Sequence, residues 1–564
     1  MNTLMRRSVI GAIAGALSSA ALVAAGGHLF LSVVLGAVIG AAYSATLRPT
    51  SGTYVDNLMA AAALGVPLWT IVSIIVLPLI SGQMPEWSAG QMRQLFPMLV
   101  GWVIYGAGLG LATQALNGIV ERVLGPEAVP SPPAESEKKR IAILGGGFAG
   151  MRVAEYLEEQ LGGSALITLV SDTNAFLFTP MLSEVEGSSL EPSHITTPLR
   201  SSLHSTRFIR ARVAGIDLAA HRVSLAPGAA GAGEDRRDEI PYDHLVLALG
   251  AVSNYLGVAN LERFSFNFKT LLDAIRIRNH VIEMFERADH EPDPARRKPI
   301  LTFVIAGGGF AGIELAGALN DFARGILADY PRLRSEELSV IVVHARDRIL
   351  PELSESLARY AQGRMAERGV VFRLNTRLVD AHPDVVVLTD GEIPAHTLVW
   401  TAGTAPNPLL KSLPVEEDKR GAVIVDQTLA VPGYPGIWAL GDCAAIPDAK
   451  TGKSCPPTAQ FALREAVTLA RNIKAQIQGS QPRGFHFDSL GALCVVGHQT
   501  ACAELTLPWA RGTSMRFSGL LAWFMWRGIY LSKLPGLERK IRVLMDWTVE
   551  LFFPRDIVQT IDLK

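Results

Sequence analysis

The sequence predicts an α/β protein with two dinucleotide-binding domains, preceded by an all-α transmembrane domain and followed by C-terminal amphipathic membrane-interface helices. Three observations carry this expectation: a glycine pattern that occurs twice, an uncharged N-terminal stretch, and an aromatic, basic tail.

The first copy of the pattern is IAILGGGFAG, with Gly145, Gly147 and Gly150 after an apolar run. The second is TFVIAGGGFAG, with Gly307, Gly309 and Gly312 in the same setting. In each, a buried strand is expected to turn tightly into a helix whose free backbone N–H groups hold a pyrophosphate. A Cβ would block the turn, the approach of the phosphates or helix–strand packing, so glycine is required. One such pattern is weak. Two, each followed by a helical pattern (AEYLEEQL and IELAGALNDF), predict two Rossmann-like domains and two bound dinucleotides. Electron transfer from a nicotinamide to a flavin is the usual reason for such a pair.

At 564 residues the chain exceeds one ordinary domain. It is 49% hydrophobic and only 19% charged, with mean hydropathy +0.26, which points to membrane segments. A net charge of −1 leaves no basic surplus for nucleic acid. Cys443, Cys455, Cys494 and Cys502 all lie late and lack metal-ligand spacing, so reduced thiols and no metal are expected.

The apolar excess lies at the N-terminus. Residues 8–47 hold two thin helices around Gly26-Gly27-His28, and 57–80 and 96–119 are two further spans of bilayer length. Gly11/Gly15, Gly36/Gly40 and the cluster Gly106, Gly108, Gly110 favour close helix packing. Arg6-Arg7, Arg48, then Arg122 with Lys138-Lys139-Arg140 alternate across an even number of spans, which places both the N-terminus and the remainder in the cytoplasm. RRSVIGAIAGALSSAALVAA also resembles a twin-arginine signal, and its removal would leave three spans. No charge lies within these spans, so an anchoring or assembly role is expected, not an ion path.

GPEAVPSPPAESEKK (125–139) is a linker, and GAAGAGEDRRDE (228–239) and RADHEPDPARRKP (287–299) are expected to be exposed loops. The expected domains are a transmembrane part (1–124), the linker (125–139), and a first dinucleotide-binding domain in two pieces (140–265 and 396–505). The second dinucleotide-binding domain is 266–395 and the membrane-interface segment 506–564.

From about residue 139 onward the chain resembles the type II NADH dehydrogenases, the non-pumping NADH:quinone oxidoreductases among the two-dinucleotide-binding flavoproteins. The resemblance rests on GGGFAG (145–150), FLFTPMLSEVEG (176–187), YDHLVLALG (242–250), GGGFAGIELAG (307–317) and RILPELS (348–354). VWTAGTAPNP (399–408), IWALGDCA (437–444) and PPTAQFA (456–462) complete it, and the first 125 residues lie outside it. It implies that the first fingerprint holds FAD and the second NADH, that a membrane quinone accepts the electrons, and that no proton is pumped. Family members are often dimers, so it allows a homodimer.

The resemblance gives residues their roles. Asp442 would accept from a ribityl hydroxyl, or simply cap a turn. Gly403 joins the cofactor-binding set. The ribose acid of the first site falls near Asp172, one place after the usual position, here Ser171. In the second, His344 stands where the family has Glu, with Arg346 nearby, so NADPH use beside NADH stays open. Glu314 would sit near nicotinamide and flavin, or merely stabilise a helix N-terminus. Ala459 and Gln460 would lie at the flavin edge where quinone enters, with Thr458 capping the helix behind them. Thr179, Pro180 and Leu182 would form another wall, or belong to the core.

In the tail, Phe517, Leu520, Leu521, Phe524 and Leu531 recur at helical spacing, with Trp523, Trp526 and Tyr530 as amphipathic rings. Arg527, Lys533, Arg539, Lys540 and Arg542 would meet anionic head groups. The rival readings are a sulfide:quinone oxidoreductase, which would need flavin-adjacent cysteines before Cys443, and a non-catalytic membrane nucleotide sensor or scaffold.

Overall fold

Small residues decide how the N-terminal helices meet. The computed structural model describes residues 3–46, 54–82, 94–124, 138–227, 239–506, 514–550 and 552–559. The chain divides into two units, Met1–Ser131 and Pro132–Lys564. In the first, α1 (Thr3–Ser18) packs on α2 (Leu29–Thr46), and α3 (Tyr54–Ala63) on α4 (Phe96–Leu124). A Cβ on Gly11 would lie 2.1 Å from the Gly40 carbonyl oxygen, and one on Gly15 2.0 Å from that of Gly36. Gly106 and Gly110 meet the Ala61 and Asn57 carbonyls equally closely. Tyr105 donates to the Gly36 carbonyl at 2.7 Å and Trp102 to the Ser73 hydroxyl at 3.0 Å, which ties α4 to its neighbours.

Two described helical stretches, Met5–Ala24 and Phe96–Val120, are long and apolar enough to cross a bilayer, and Leu29–Ala45 is shorter. The span expected at 57–80 is helical but broken. α3 gives way to Gly65–Leu68, a wide π-helical segment at Trp69–Val76 and then Leu77–Ile80. Pro67 and Pro78 each remove a backbone donor from that ladder.

The second unit begins with β1 (Lys139–Leu144), α5 (Phe148–Leu161), β2 (Ala165–Ser171), α6 (Leu182–Glu186), β3 (Arg207–Arg210) and β4 (His244–Leu247). There follow β5 (Ala251–Ser253), β6 (Phe266–Asn267), α7 (Leu271–His290), β7 (Thr302–Ala306), α8 (Phe310–Ile326), β8 (Ser339–Val343) and β9 (Val370–Arg373). Next come β10 (Thr397–Trp400), β11 (Thr404–Pro406), β12 (Ile437–Ala439) and α9 (Ala459–Ile477). The chain closes with β13 (Gly491–Val495), β14 (Ala501–Thr506), β15 (Ser514–Gly519), α10 (Leu520–Lys533) and α11 (Leu537–Glu550).

Two five-stranded parallel sheets result, in the orders β12-β4-β1-β2-β3 and β6-β10-β7-β8-β9. Every residue of β4, β7 and β10 is buried, as parallel strands covered on both faces require. The antiparallel pair β5–β11 carries the chain between the two sheets. β13, β14 and β15 form an antiparallel sheet that joins α9 to the tail helices.

One expectation needs adjustment. Residues 287–299 are largely helical: α7 runs to His290, and Asp293 caps a short helix at Pro294–Ile300 through the Ala295 N–H. Arg297 there is buried in an ion pair with Glu337 at 2.9 Å, which anchors the segment. The 125–139 linker, apart from its last two residues, and all but Glu239 of 228–239 lie outside the described residues.

Each fingerprint turn is a packing constraint. The Gly150 Cβ position is 1.9 Å from the Gly145 carbonyl oxygen and that of Gly312 is 2.0 Å from the Gly307 oxygen. Gly150→Ala is therefore expected to cost about 1–3 kcal/mol of stability. Thermal unfolding and flavin content check this: both should fall, and unchanged values would contradict it.

Candidate redox site

Both fingerprints make the same turn from strand to helix. Gly145 and Gly307 sit at φ +112 and +125, where only glycine is unstrained. Their N–H groups donate to the Val170 and Val343 carbonyls at 2.8 and 2.9 Å. The middle glycines differ in kind: a Cβ on Gly147 or Gly309 would meet no atom within 4 Å. These two residues also begin α5 and α8 without any side-chain cap. Two helix N-termini thus keep free N–H groups beside open space, which suits the pyrophosphates of FAD and of a nicotinamide dinucleotide.

The strand ends behind the turns are not alike. Ser171 lies under Gly146, while Asp172 is exposed. In the second site the His344 ring lies against Gly308, and its Nδ1 accepts the Gly308 N–H at 3.1 Å. His344 is held below the ordinary imidazole range, first by burial and then by Arg346. Its Nε2 is buried without a partner.

The loop after β12 places Asp442 in a tight turn whose Gly441 N–H donates to Glu465 at 2.9 Å. Among the described residues no hydrogen bond reaches the Asp442 carboxylate. Burial raises it, opposed by the Lys269 and Arg420 cations. Lys269 is a residue that motif reasoning missed: half-buried, it lies just before α7 within electrostatic range of Asp442, and burial lowers it. Gly403 lies before β11, and its carbonyl accepts the Asn254 N–H at 3.1 Å. In the TPM turn Thr179 is exposed and Pro180 half-buried, whereas Leu182 belongs to the core.

Glu314 is brought together with parts of the chain far away. It lies on α8, and its Oε1 accepts the Val495 N–H and the Trp526 Nε1–H, each at 3.3 Å. These bonds come from β13 and α10, so helix-end stabilisation does not describe them. Burial pushes Glu314 up to about 8, so it is largely protonated at neutral pH. Tyr530, one turn beyond Trp526, packs edge-on against both Trp526 and Phe178.

The next residue on α10 keys a second buried acid. Arg527 lies 3.0 Å from Glu550 and 3.9 Å from Glu184, between the rings of Trp523 (3.8 Å) and Trp547 (4.6 Å). Trp547 donates to Glu184 at 2.6 Å, and Arg555 pairs with Glu550 at 3.0 Å. Glu184 is raised to about 7, chiefly by burial. This cluster corrects the expected role of Arg527 as a head-group contact, because a cation sandwiched by rings and paired with buried acids is not available to lipid. Trp523 and Trp526 are buried, Phe517 is on β15 and Leu531 packs on the core. Arg542 pairs with Glu538, and Arg539 and Lys540 donate to the Ser193 and Ser532 carbonyls.

Beside Lys533, Glu538 and Arg542 the tail exposes many apolar side chains. Leu520, Leu521 and Phe524 of α10, with Leu537, Ile541, Leu544, Met545 and Val549 of α11, face outward, followed by Phe552 and Phe553. The i, i+4 pattern of α11 was readable but masked by its many charges.

Ala459 opens α9, and Thr458 accepts the Phe461 N–H as its cap. Gln460 donates to the Gly491 carbonyl at 3.1 Å and accepts the Leu490 N–H at 2.9 Å. One donor and one lone pair of its amide are thus spent on holding the start of β13, and one of each remains. The four cysteines are free and buried.

Two glycine turns on two parallel sheets, with a buried acid on the second fingerprint helix, define a two-dinucleotide flavoprotein. The chain matches the family described as "Pyridine nucleotide-disulphide oxidoreductase" over residues 139–466 and the "NDH2 C-terminal domain" over 490–556. It is 32% identical to a probable NADH dehydrogenase of Dictyostelium discoideum over 429 residues, 75% of this chain and 91% of that one. It is 30% identical to the type II NADH:quinone oxidoreductase Ndh of Mycobacterium tuberculosis, covering 77% of this chain and 92% of the relative. The NDH2 of Plasmodium falciparum in complex with NADH shares the fold, with a TM-score of 0.67 at 19% identity, over 75% of this chain and 100% of that one. The chain belongs to the type II NADH dehydrogenase family.

Raised carboxyls have a stability signature. Glu314 and Glu184, ordinarily near 4.3 when unfolded, are raised, so the stability they give is full at low pH. It is lost as pH rises from that unfolded value to their folded values of about 7 to 8. Thermal stability should therefore fall from about pH 4 to about pH 8, and less steeply in Glu314→Gln. Equal slopes for the two proteins would contradict the burial of Glu314.

Proposed function

We propose that this chain oxidises NADH and passes two electrons to a membrane quinone through FAD. The observation that carries this reading is the placement of Glu314 on the second fingerprint helix, bonded to β13 and α10 where the quinone motif and the tail converge. Bound FAD supplies the two-electron centre. The first turn (Gly145, Gly147, Gly150) with Asp442 and Gly403 would hold it, and Asp172 would lie near its ribose. The second (Gly307, Gly309, Gly312) would hold NADH, with His344 at its adenosine end.

The protein's own groups do the rest. Protonated Glu314 keeps negative charge away from the reacting rings while retaining a hydrogen-bond donor. Ala459 and the N-terminus of α9 leave helix N–H groups at the flavin edge, and Gln460 fixes the strand beside it. Thr179 and Pro180 wall the other side. Phe178, Tyr530 and Trp526 exclude water.

Quinones dissolve in lipid, so the site must reach the bilayer. The outward apolar face of α10 and α11 fits a membrane surface. The N-terminal unit is read as a multi-pass domain of four spans, with the catalytic part cytoplasmic by the positive-inside rule. Without charges in those spans, the reaction moves no proton across the membrane. The arrangement of two such chains as a homodimer is compatible with the reading. Sulfide oxidation is disfavoured because no cysteine precedes Cys443.

Stopped-flow flavin absorbance tests the function. NADH should bleach the flavin and quinone should restore it; a flavin that NADH leaves oxidised would overturn the reading. For the membrane face, Phe524→Glu with Met545→Glu should lower turnover of a long-tailed quinone in vesicles about fivefold or more, and of a short soluble quinone much less. Equal effects on both would contradict it.

A further inference from the structure

The adenosine end of the second nucleotide site has an unusual polarity. A dinucleotide with an unmodified ribose is ordinarily held there by a carboxylate at the end of the second strand, which accepts from the 2′-hydroxyl and repels a 2′-phosphate. In this chain β8 ends in Val343, and the next residue is His344.

The structure shows what that imidazole does. Nδ1 accepts the Gly308 N–H at 3.1 Å, so in the neutral ring the proton sits on Nε2. The backbone that carries the ring is fixed: the His344 main-chain N–H donates to the Arg373 carbonyl at 2.9 Å, the His344 carbonyl accepts the Thr376 N–H at 3.1 Å, and the Leu350 N–H donates to the Gly308 carbonyl at 2.7 Å. The only acceptor on the His344 side chain is consumed inside the fingerprint loop. It offers a ribose neither a carboxylate nor a free lone pair.

The surrounding charges point the same way. Arg346, two residues on, is exposed, and among the described residues its guanidinium has no ion pair. Its backbone is pinned, because its carbonyl accepts the Asn375 N–H at 3.0 Å. Of its neighbours, Arg348 bonds the Pro351 carbonyl at 3.0 Å and Arg373 pairs with Asp390 at 3.3 Å. Asp347 and Glu352 also lie within electrostatic range of His344, but neither occupies the strand-end position. Arg346, two residues past the strand end, is a cation able to take a phosphate through two N–H donors.

We propose that this site admits a nicotinamide dinucleotide carrying a 2′-phosphate, so that NADPH is a substrate beside NADH, and that Arg346 is the side chain that meets the phosphate. The inference rests on the assignment of the second fingerprint to the nicotinamide dinucleotide. The chemistry at the nicotinamide end is the same for both nucleotides; only the adenosine end distinguishes them.

The test separates binding from turnover. Adenosine 2′,5′-bisphosphate and AMP, which differ only in the 2′-phosphate, are titrated calorimetrically into the FAD-loaded full chain and its Arg346→Ala variant. The bisphosphate should bind the unaltered protein about tenfold or more tightly than AMP, the size of one charge-assisted contact, and the variant should lose that advantage. Stopped-flow flavin reduction with NADPH and NADH then gives an efficiency ratio, which should fall in both Arg346→Ala and His344→Glu. AMP binding as tightly as the bisphosphate, an advantage that survives Arg346→Ala, or a flavin bleached by NADH but not NADPH would each overturn the proposal and leave the NADH reading standing. A flavin bleached by neither nucleotide would instead sink the assignment of the second fingerprint.

Discussion

A carboxyl group buried at Glu314 is the interaction on which the redox half of the chain depends. Burying an acid is costly unless it is neutral or well bonded, and here both conditions hold. It is raised to about 8, and two N–H groups from distant segments converge on one of its oxygens. That convergence fixes the second fingerprint helix against β13 and α10 at once. The adjacent Arg527, held between two tryptophans and two acids, repeats the device toward α6 and α11. Helix α10 is therefore registered by consecutive residues, Trp526 and Arg527, against two different buried carboxyls. The tail is in this way an integral wall of the site, while its other face remains apolar and outward.

The parts of this architecture that were legible in the sequence are those encoded locally. A strand, a glycine turn and a helix follow each other within a dozen or so residues, so Gly145–Gly150 and Gly307–Gly312 announce both nucleotide sites. Small residues at four-residue spacing likewise announced the helix contacts at Gly11, Gly15, Gly36 and Gly40. The Glu184–Arg527–Trp547 cluster was not legible, because Glu184 and Trp547 are 363 residues apart and nothing local marks them as partners. The role of Arg527 in the tail was misread for a related reason. An arginine among aromatic residues has the composition of an interfacial helix whether it faces lipid or a buried acid, and only the tertiary partners decide.

The same distinction applies within the site. Gln460 stands in a motif that points to a quinone, yet its visible bonds are to the backbone of Leu490 and Gly491. A residue of this kind shapes the flavin edge partly by holding a strand in place. His344 is the reverse case. Its substitution for an acid was plain in the sequence, but only the contact to Gly308 shows that its acceptor is already used.

The account's central claim is that the two glycine turns hold two different nucleotides, and Gly309 offers the most direct test. Its φ of −80 is ordinary for any residue, and a Cβ there would meet no protein atom within 4 Å. A side chain at this position therefore starts into the open space where the nucleotide would lie. The measurement is the flavin content and NADH-driven bleaching of Gly309→Leu. The account predicts a folded protein with full flavin that NADH no longer bleaches. Bleaching at the unaltered rate, or loss of the flavin itself, would contradict it.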